Sequence, residues 1–293
     1  MKGIVFAAVL AAACLQASNV VAESLLERGT YLMRGIVACG NCHTPMGPNG
    51  PIGDKELSGG MLIHEPGVFD VHGPNITSDR ETGIGAWTNE QIVTAIREGK
   101  RPDGSVIGPP MPFEQYRHMS DRDVQAIVAY LRSVPAVRST TPKNVYHVPL
   151  PPAWGPPVGS VPEPDRGDKV AYGTYLAGPL GHCIECHTPM EKGRFDFANR
   201  AFAGGFRFHG PWGISVSPNI TQHAEDGIGA FTDAQIEAAI TRGIHPDGRA
   251  LMPPMPFDCT PTLQTEIWVP WSPSYARSNR FPETEFKLYR PAS

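Results

Sequence analysis

Apolar residues recur at helical spacing in only a few stretches of the chain. Over Ser120 to Ser133, Val124, Ile127, Val128 and Leu131 fall on one face, and Ser120 stands where a hydroxyl can cap the first turn. Similar reading predicts helices over Glu23 to Val37, near Thr88 to Glu98 and near Thr232 to Thr241. No run alternates apolar and polar residues long enough to compete as a strand, so the pattern predicts an all-α fold with long loops. The amino end differs. Met1-Lys2, the apolar run Ile4 to Ala13 and then Val20-Val21-Ala22 have the basic start, short hydrophobic stretch and small-residue end of an export signal, residues 1–22. That run is too short for a hydrocarbon core needing ~20 apolar residues. Lipid attachment at Cys14, after Leu10-Ala-Ala-Ala, is a second reading with weaker spacing.

The chain repeats itself. Cys39 to Met46 (CGNCHTPM) returns as Cys183 to Met190 (CIECHTPM), 144 residues on. Pro74-Asn75-Ile76-Thr77 returns as Pro218-Asn219-Ile220-Thr221, and Gly83 to Thr88 (GIGAWT) as Gly227 to Thr232 (GIGAFT), at the same offset. Pro102-Asp103-Gly104 and Pro109 to Phe113 (PPMPF) return as Pro246-Asp247-Gly248 and Pro253 to Phe257. Read at this offset, no insertion interrupts either copy. Between the copies lies a proline-rich stretch, residues 139–167, where missing N–H groups and fixed φ favour extended chain. The expected organisation is a first domain over 23–138, a linker over 139–167 and a second domain over 168–293.

Composition sharpens this picture. The 293 residues include 31 glycines and 31 prolines, while charged residues make only 18%. A chain so poor in helix and strand formers must organise irregular backbone around something besides regular structure. The formal charge of −4 offers no basic excess to neutralise phosphates, so nucleic acid is not an expected partner.

Four of the six cysteines carry the chemistry: Cys39, Cys42, Cys183 and Cys186, each pair followed directly by a histidine. C-x-x-C-H is the attachment pattern of a c-type haem. One helical turn sets two thiols on one side to bond two vinyl groups, and the next residue brings an imidazole under the iron. His43 and His187 are the expected proximal ligands, and two covalently bound haem c groups the expected cofactors. Thioredoxin-like pairs or a zinc site joining the motifs are the alternatives for such cysteines, but neither explains the surrounding repeat. Met111 and Met255 each lie 68 residues after their histidine, inside a proline-stiffened loop, and are the expected distal ligands. Thioether ligation favours reduced iron. Met46 and Met190 also recur but follow the ligand histidine too closely to cross the ring, and Met252 has Gly108 as its partner. The other eight histidines have no histidine mate at the offset; His64, for example, faces Phe208. Asn75 to Thr77 and Asn219 to Thr221 either bond haem propionates or shape their own loop.

These motifs, in this order, resemble the cytochrome c subunits of bacterial alcohol and gluconate dehydrogenases and their dihaem relatives. The similarity runs from about Gly29 to Phe113 and from Gly173 to Phe257. It implies tandem class I cytochrome c domains and a periplasmic location. It also implies electron transfer from a donor dehydrogenase subunit towards a downstream cytochrome, oxidase or quinone system, with at most peripheral membrane association. The membrane-bound subunits of that group carry three such domains, where this chain has two. An electron carrier is expected rather than an enzyme; the alternative is a dihaem peroxidase-like enzyme, which needs one iron with a displaceable distal ligand.

The repeat stops after Phe257. Where the first copy has its closing helix, the second has Pro261, Pro270 and Pro273. Codons compatible with Asp258 to Ser278, read two bases later, permit LYAHLSDRDLGAMVAFLRS, parallel to Gln115 to Ser133 without a gap. A frameshift over about 258–280 is therefore expected to have replaced that helix. Cys259 would then be its by-product, and Thr260 to Ser278 irregular as written.

Overall fold

This computed structural model describes residues 22–47, 50–60, 62–191, 194–210, 213–255 and 257. The expected signal, the lipid-attachment alternative at Cys14 and the frame-shifted stretch lie outside these residues, apart from Ala22. In the first copy, α1 (Leu25–Arg34) leads to a one-turn helix α2 (Gly40–His43) and then to hairpin strands β1 (Met46–Gly47) and β2 (Gly50–Pro51). A second hairpin, β3 (Leu62–Glu65) and β4 (Phe69–His72), precedes α3 (Asn89–Glu98), α4 (Phe113–Tyr116) and α5 (Asp121–Ser133). A third strand, β5 (Val145–Tyr146), adds antiparallel to β4. The second copy gives α6 (Lys169–Tyr175), continued by a π turn over Leu176–Leu180, then α7 (Cys183–Cys186), β6 (Met190–Glu191), β7 (Arg194–Phe195) and α8 (Phe197–Arg200). It ends with β8 (Arg207–Gly210), β9 (Gly213–Val216) and α9 (Asp233–Arg242).

The all-α expectation is therefore wrong. Both copies fold their glycine-rich loops into antiparallel hairpins, β3–β4 and β8–β9, besides the two-residue pairs. Strands of two to four residues leave too short an alternation to register against helical periodicity. β4 does alternate, with Phe69 and Val71 buried and Asp70 and His72 half-buried. The turn into β4 uses Gly67 at φ 75°, a conformation that costs glycine little.

The expected helices appear with boundaries shifted by at most three residues. Their caps are duplicated with the sequence. Thr88 with Gln91 and Thr232 with Gln235 form capping boxes on α3 and α9, and Gly99 and Gly243 close them in the left-handed region. The repeat is not free of insertions, however. Gly59 N–H donates to the His43 carbonyl, whereas the matching donor to His187 is Gly204, 145 residues on rather than 144. The slip is undone before β9, so the structural mate of His64 in β3 is His209 in β8, not Phe208.

The main core is built by α1, α3 and α5, with Leu32, Ile92, Ile96, Val124, Ile127 and Val128 buried together. Helices α1 and α5 touch at Gly29, where a Cβ would overlap the Ala126 carbonyl. Tyr172, Tyr175, Leu176 and Leu180 of the second copy belong to this same core. Arg28 Nε and Nη2 donate to the two carboxylate oxygens of Asp123 at 2.7 and 3.0 Å, both side chains being almost wholly buried. Tyr175 Oη donates to Asp123 at 2.7 Å and accepts from the Ser120 backbone N–H at 3.0 Å, tying α6 to the start of α5.

Candidate functional site

Each cysteine motif is one turn of helix. The His43 N–H donates to the Cys39 carbonyl, and the His187 N–H to the Cys183 carbonyl, both at 3.0 Å. The residue before each first cysteine, Ala38 or His182, has positive φ, 46° and 38°. Neither is glycine, so each carries backbone strain of about 1–3 kcal/mol at the point where the chain turns into the motif. None of the four cysteines is paired in a disulfide. Burial pushes Cys42 and Cys183 up to about 11 and Cys186 up to about 12. Among the described residues no group of three or more His, Cys, Asp or Glu side chains is placed to hold a metal ion, against a zinc site joining the two pairs.

The histidines test whether these residues suit a haem. His43 Nδ1 meets the Pro74 carbonyl and His187 Nδ1 the Pro218 carbonyl, both at 2.8 Å. A carbonyl only accepts, so Nδ1 is the protonated nitrogen and Nε2 is left as the lone-pair donor. Burial holds both rings below the ordinary histidine range and therefore neutral. Histidines that ligate a metal commonly donate their other N–H in this way. A single continuous cavity is lined by Cys39, Cys42, His43 and Met111 of the first copy and by Cys183, Cys186, His187 and Met255 of the second. Its walls are largely aliphatic and aromatic, as a porphyrin face requires. The residues present fit the group.

The sequence reading missed the two proline carbonyls, although they sit in the repeated Pro-Asn-Ile-Thr motif it singled out. It left Asn75 open between propionate and loop. The structure gives Asn75 a loop role: Oδ1 accepts from the Thr77 N–H at 2.9 Å, and Nδ2 donates to the Val137 carbonyl at 2.7 Å. Asn219 accepts from the Thr221 N–H in the same way at 2.8 Å. Of the methionines set aside as ligands, Met46 is exposed on β1 and Met252 is 51% exposed.

The two motifs face each other. Tyr116, buried at the end of α4, meets the His182 ring edge-on with centroids 5.8 Å apart, and Asn41 Nδ2 reaches the Pro254 carbonyl at 3.5 Å. Burial, with the Glu114 carboxyl as a second cause, pushes Glu185 between Cys183 and Cys186 up to about 8.

The family model described as cytochrome c oxidase, cbb3-type, subunit III matches residues 24–131. The chain is 31% identical over 240 residues to the alcohol dehydrogenase (quinone) cytochrome c subunit of Gluconobacter oxydans, covering 75% of this chain and 47% of that one. It is 33% identical over 246 residues to the fructose dehydrogenase cytochrome subunit of Gluconobacter japonicus, covering 78% and 47%. A diheme cytochrome c-type protein of Cereibacter sphaeroides is 30% identical over 224 residues, covering 71% and 70%. The chain thus spans about half the length of the two dehydrogenase subunits.

Proposed function

This chain belongs to the c-type cytochromes, and from that premise we propose that it is a periplasmic dihaem carrier passing electrons from a dehydrogenase towards the respiratory chain. Cys39 and Cys42 hold one haem through thioethers and Cys183 and Cys186 the other. His43 and His187 would offer Nε2 to the iron, and Met111 and Met255, which line the same cavity, would offer their sulfurs. Haem c, when bound, supplies one-electron chemistry. The observation that carries this reading is the pair of 2.8 Å bonds from His43 and His187 to proline carbonyls, which fix the same ligand tautomer in both copies.

With His43 and Met111 holding one iron and His187 and Met255 the other, each iron would have two protein ligands, which favours a carrier over an enzyme. The donor is a dehydrogenase subunit, in keeping with what the relatives are named for, and the acceptor a cytochrome, an oxidase or a quinone system. Among the described residues no helix is long and apolar enough to cross a membrane, and contact with the membrane is proposed as peripheral.

A pyridine haemochrome assay should give two haems per chain. The oxidised protein should show the near-red band of methionine-ligated iron, and Met111→Ala and Met255→Ala should each remove about half of it. One haem per chain, or a band unchanged in both variants, would refute the assignment. Rapid peroxide turnover by the half-reduced protein, with high-spin iron, would replace the carrier with a peroxidase-like enzyme.

A further inference from the structure

The proline-rich segment does not hang free between the copies; from Asn144 to Pro156 it lies along the loop that carries Met111. Its β5 residue Tyr146 pairs with Phe69 of β4, and the Tyr146 ring covers Gly108 so closely that a Cβ there would stand 2.5 Å from it. Trp154 Nε1 donates to the Ile107 carbonyl at 2.8 Å, and the indole packs on Phe113 with centroids 4.5 Å apart. Arg117 in turn donates to the carbonyls of Trp154 and Pro156 at 3.1 and 2.9 Å. The segment thus grips the chain on both sides of Met111, at Ile107 and Gly108 before it and at Phe113 after it.

We propose that Tyr146 and Trp154 are positioning residues for Met111, a role that rests on Met111 being the distal ligand of the first haem. A ligand on an irregular loop is held only as well as its supports, and two aromatic rings locked by backbone hydrogen bonds supply such support. The second copy is built otherwise. Met252 stands where Gly108 does, a side chain that would occupy the place of the Tyr146 ring, and it is 51% exposed. The Met255 loop therefore lacks the ring-on-glycine contact, and the strap distinguishes the two haem sites.

The experiment uses the full-length, haem-loaded, reduced protein and reads the upfield proton NMR signals of iron-bound methionine methyl groups. The parent should show two, and Met111→Ala should remove one and so assign it. Trp154→Ala and Tyr146→Ala should shift and broaden the Met111 signal, leave the Met255 signal in place, and let carbon monoxide bind the first haem, which the parent does not allow. Trp154→Phe, which keeps an aromatic ring against Phe113 but loses the second ring and the N–H, should restore part of the parent signal. If Trp154→Ala does not accumulate, Gly108→Ala pushes the Tyr146 ring away with the strap intact and should act in the same direction. A Met111 signal and carbon monoxide behaviour unchanged in Tyr146→Ala and Gly108→Ala would overturn the strap's role. Two signals persisting in Met111→Ala would overturn the ligand assignment, and the proposal with it.

Discussion

The two copies share their cysteine-histidine turns and methionine loops almost residue for residue yet are supported differently. In the first, the cysteine turn rests on a core made by α1, α3 and α5, and His43 is buried. In the second, the described residues form a much smaller buried cluster around Ile184 and Phe202, and Ile236 and Ala238 on α9 are buried as well. Helix α6, the counterpart of α1, commits Tyr172 and Tyr175 to the first copy's core. Position 28 is arginine in the first copy, and its mate at 172 is a tyrosine whose hydroxyl accepts from that same arginine at 3.3 Å. Duplication preserved the turn that attaches the group and changed the residues that hold the turns to each other. Among the described residues, the second copy leans on the first through α6.

The severest way to break that dependence is to remove Asp123. Asp123→Ala leaves the Arg28 guanidinium buried without its carboxylate and should cost about 3–5 kcal/mol. Denaturant unfolding followed at both haem sites is the measurement. If α6 ties the copies into one unit, both transitions should fall together; a loss confined to the first site would show the second standing alone. Tyr175→Phe is gentler. It keeps the ring and removes the hydroxyl that serves the Ser120 N–H and Asp123, at a cost of about 1–3 kcal/mol for the buried donor left unpaired. Amide exchange in α6 should rise in this variant before exchange in α1 does, and an unchanged α6 would contradict the docking role.

What could be read from sequence follows from how local each signal is. The cysteine turns, the capped helices and the methionine loops are written within a few residues each, and the 144-residue offset doubles every signal. The hairpins were not legible because strands of two to four residues carry too little alternation. The one-residue slip opens and closes between repeated motifs, and the pairing of Gly204 with the His187 carbonyl and the register of β8 on β9 expose it. Asp123, Tyr175, Tyr146 and Trp154 act across long separations, and nothing beside them in the chain announces their partners. A proline-rich composition pointed to extended backbone over 139–167 but not to the surface along which it runs.

The smallest predicted effect sharpens the comparison at the hairpins. In the first copy Asp70 accepts from His147 at 2.7 Å and from His64 at 2.5 Å, which fastens the segment after β5 to β4. In the second copy His209 keeps the place of His64, but its cross-strand partner is Ile214, so no such carboxylate exists there. The bond from His147, and then that from His64, holds the Asp70 carboxyl below the usual carboxylate range. A carboxyl depressed in the folded state contributes stability that is complete above its unfolded value of about 3.9 and is lost as pH falls through the folded value. Acidification below about pH 4 should therefore loosen the strap on the first copy, read as faster proteolysis within 144–156, and Asp70→Asn should show that faster cleavage already at neutral pH. All three side chains are well exposed, so solvent screening keeps the effect small. Cleavage that quickens equally in parent and variant between neutral and acid pH would assign the acid response to other carboxyls and remove this clasp from the distinction between the copies.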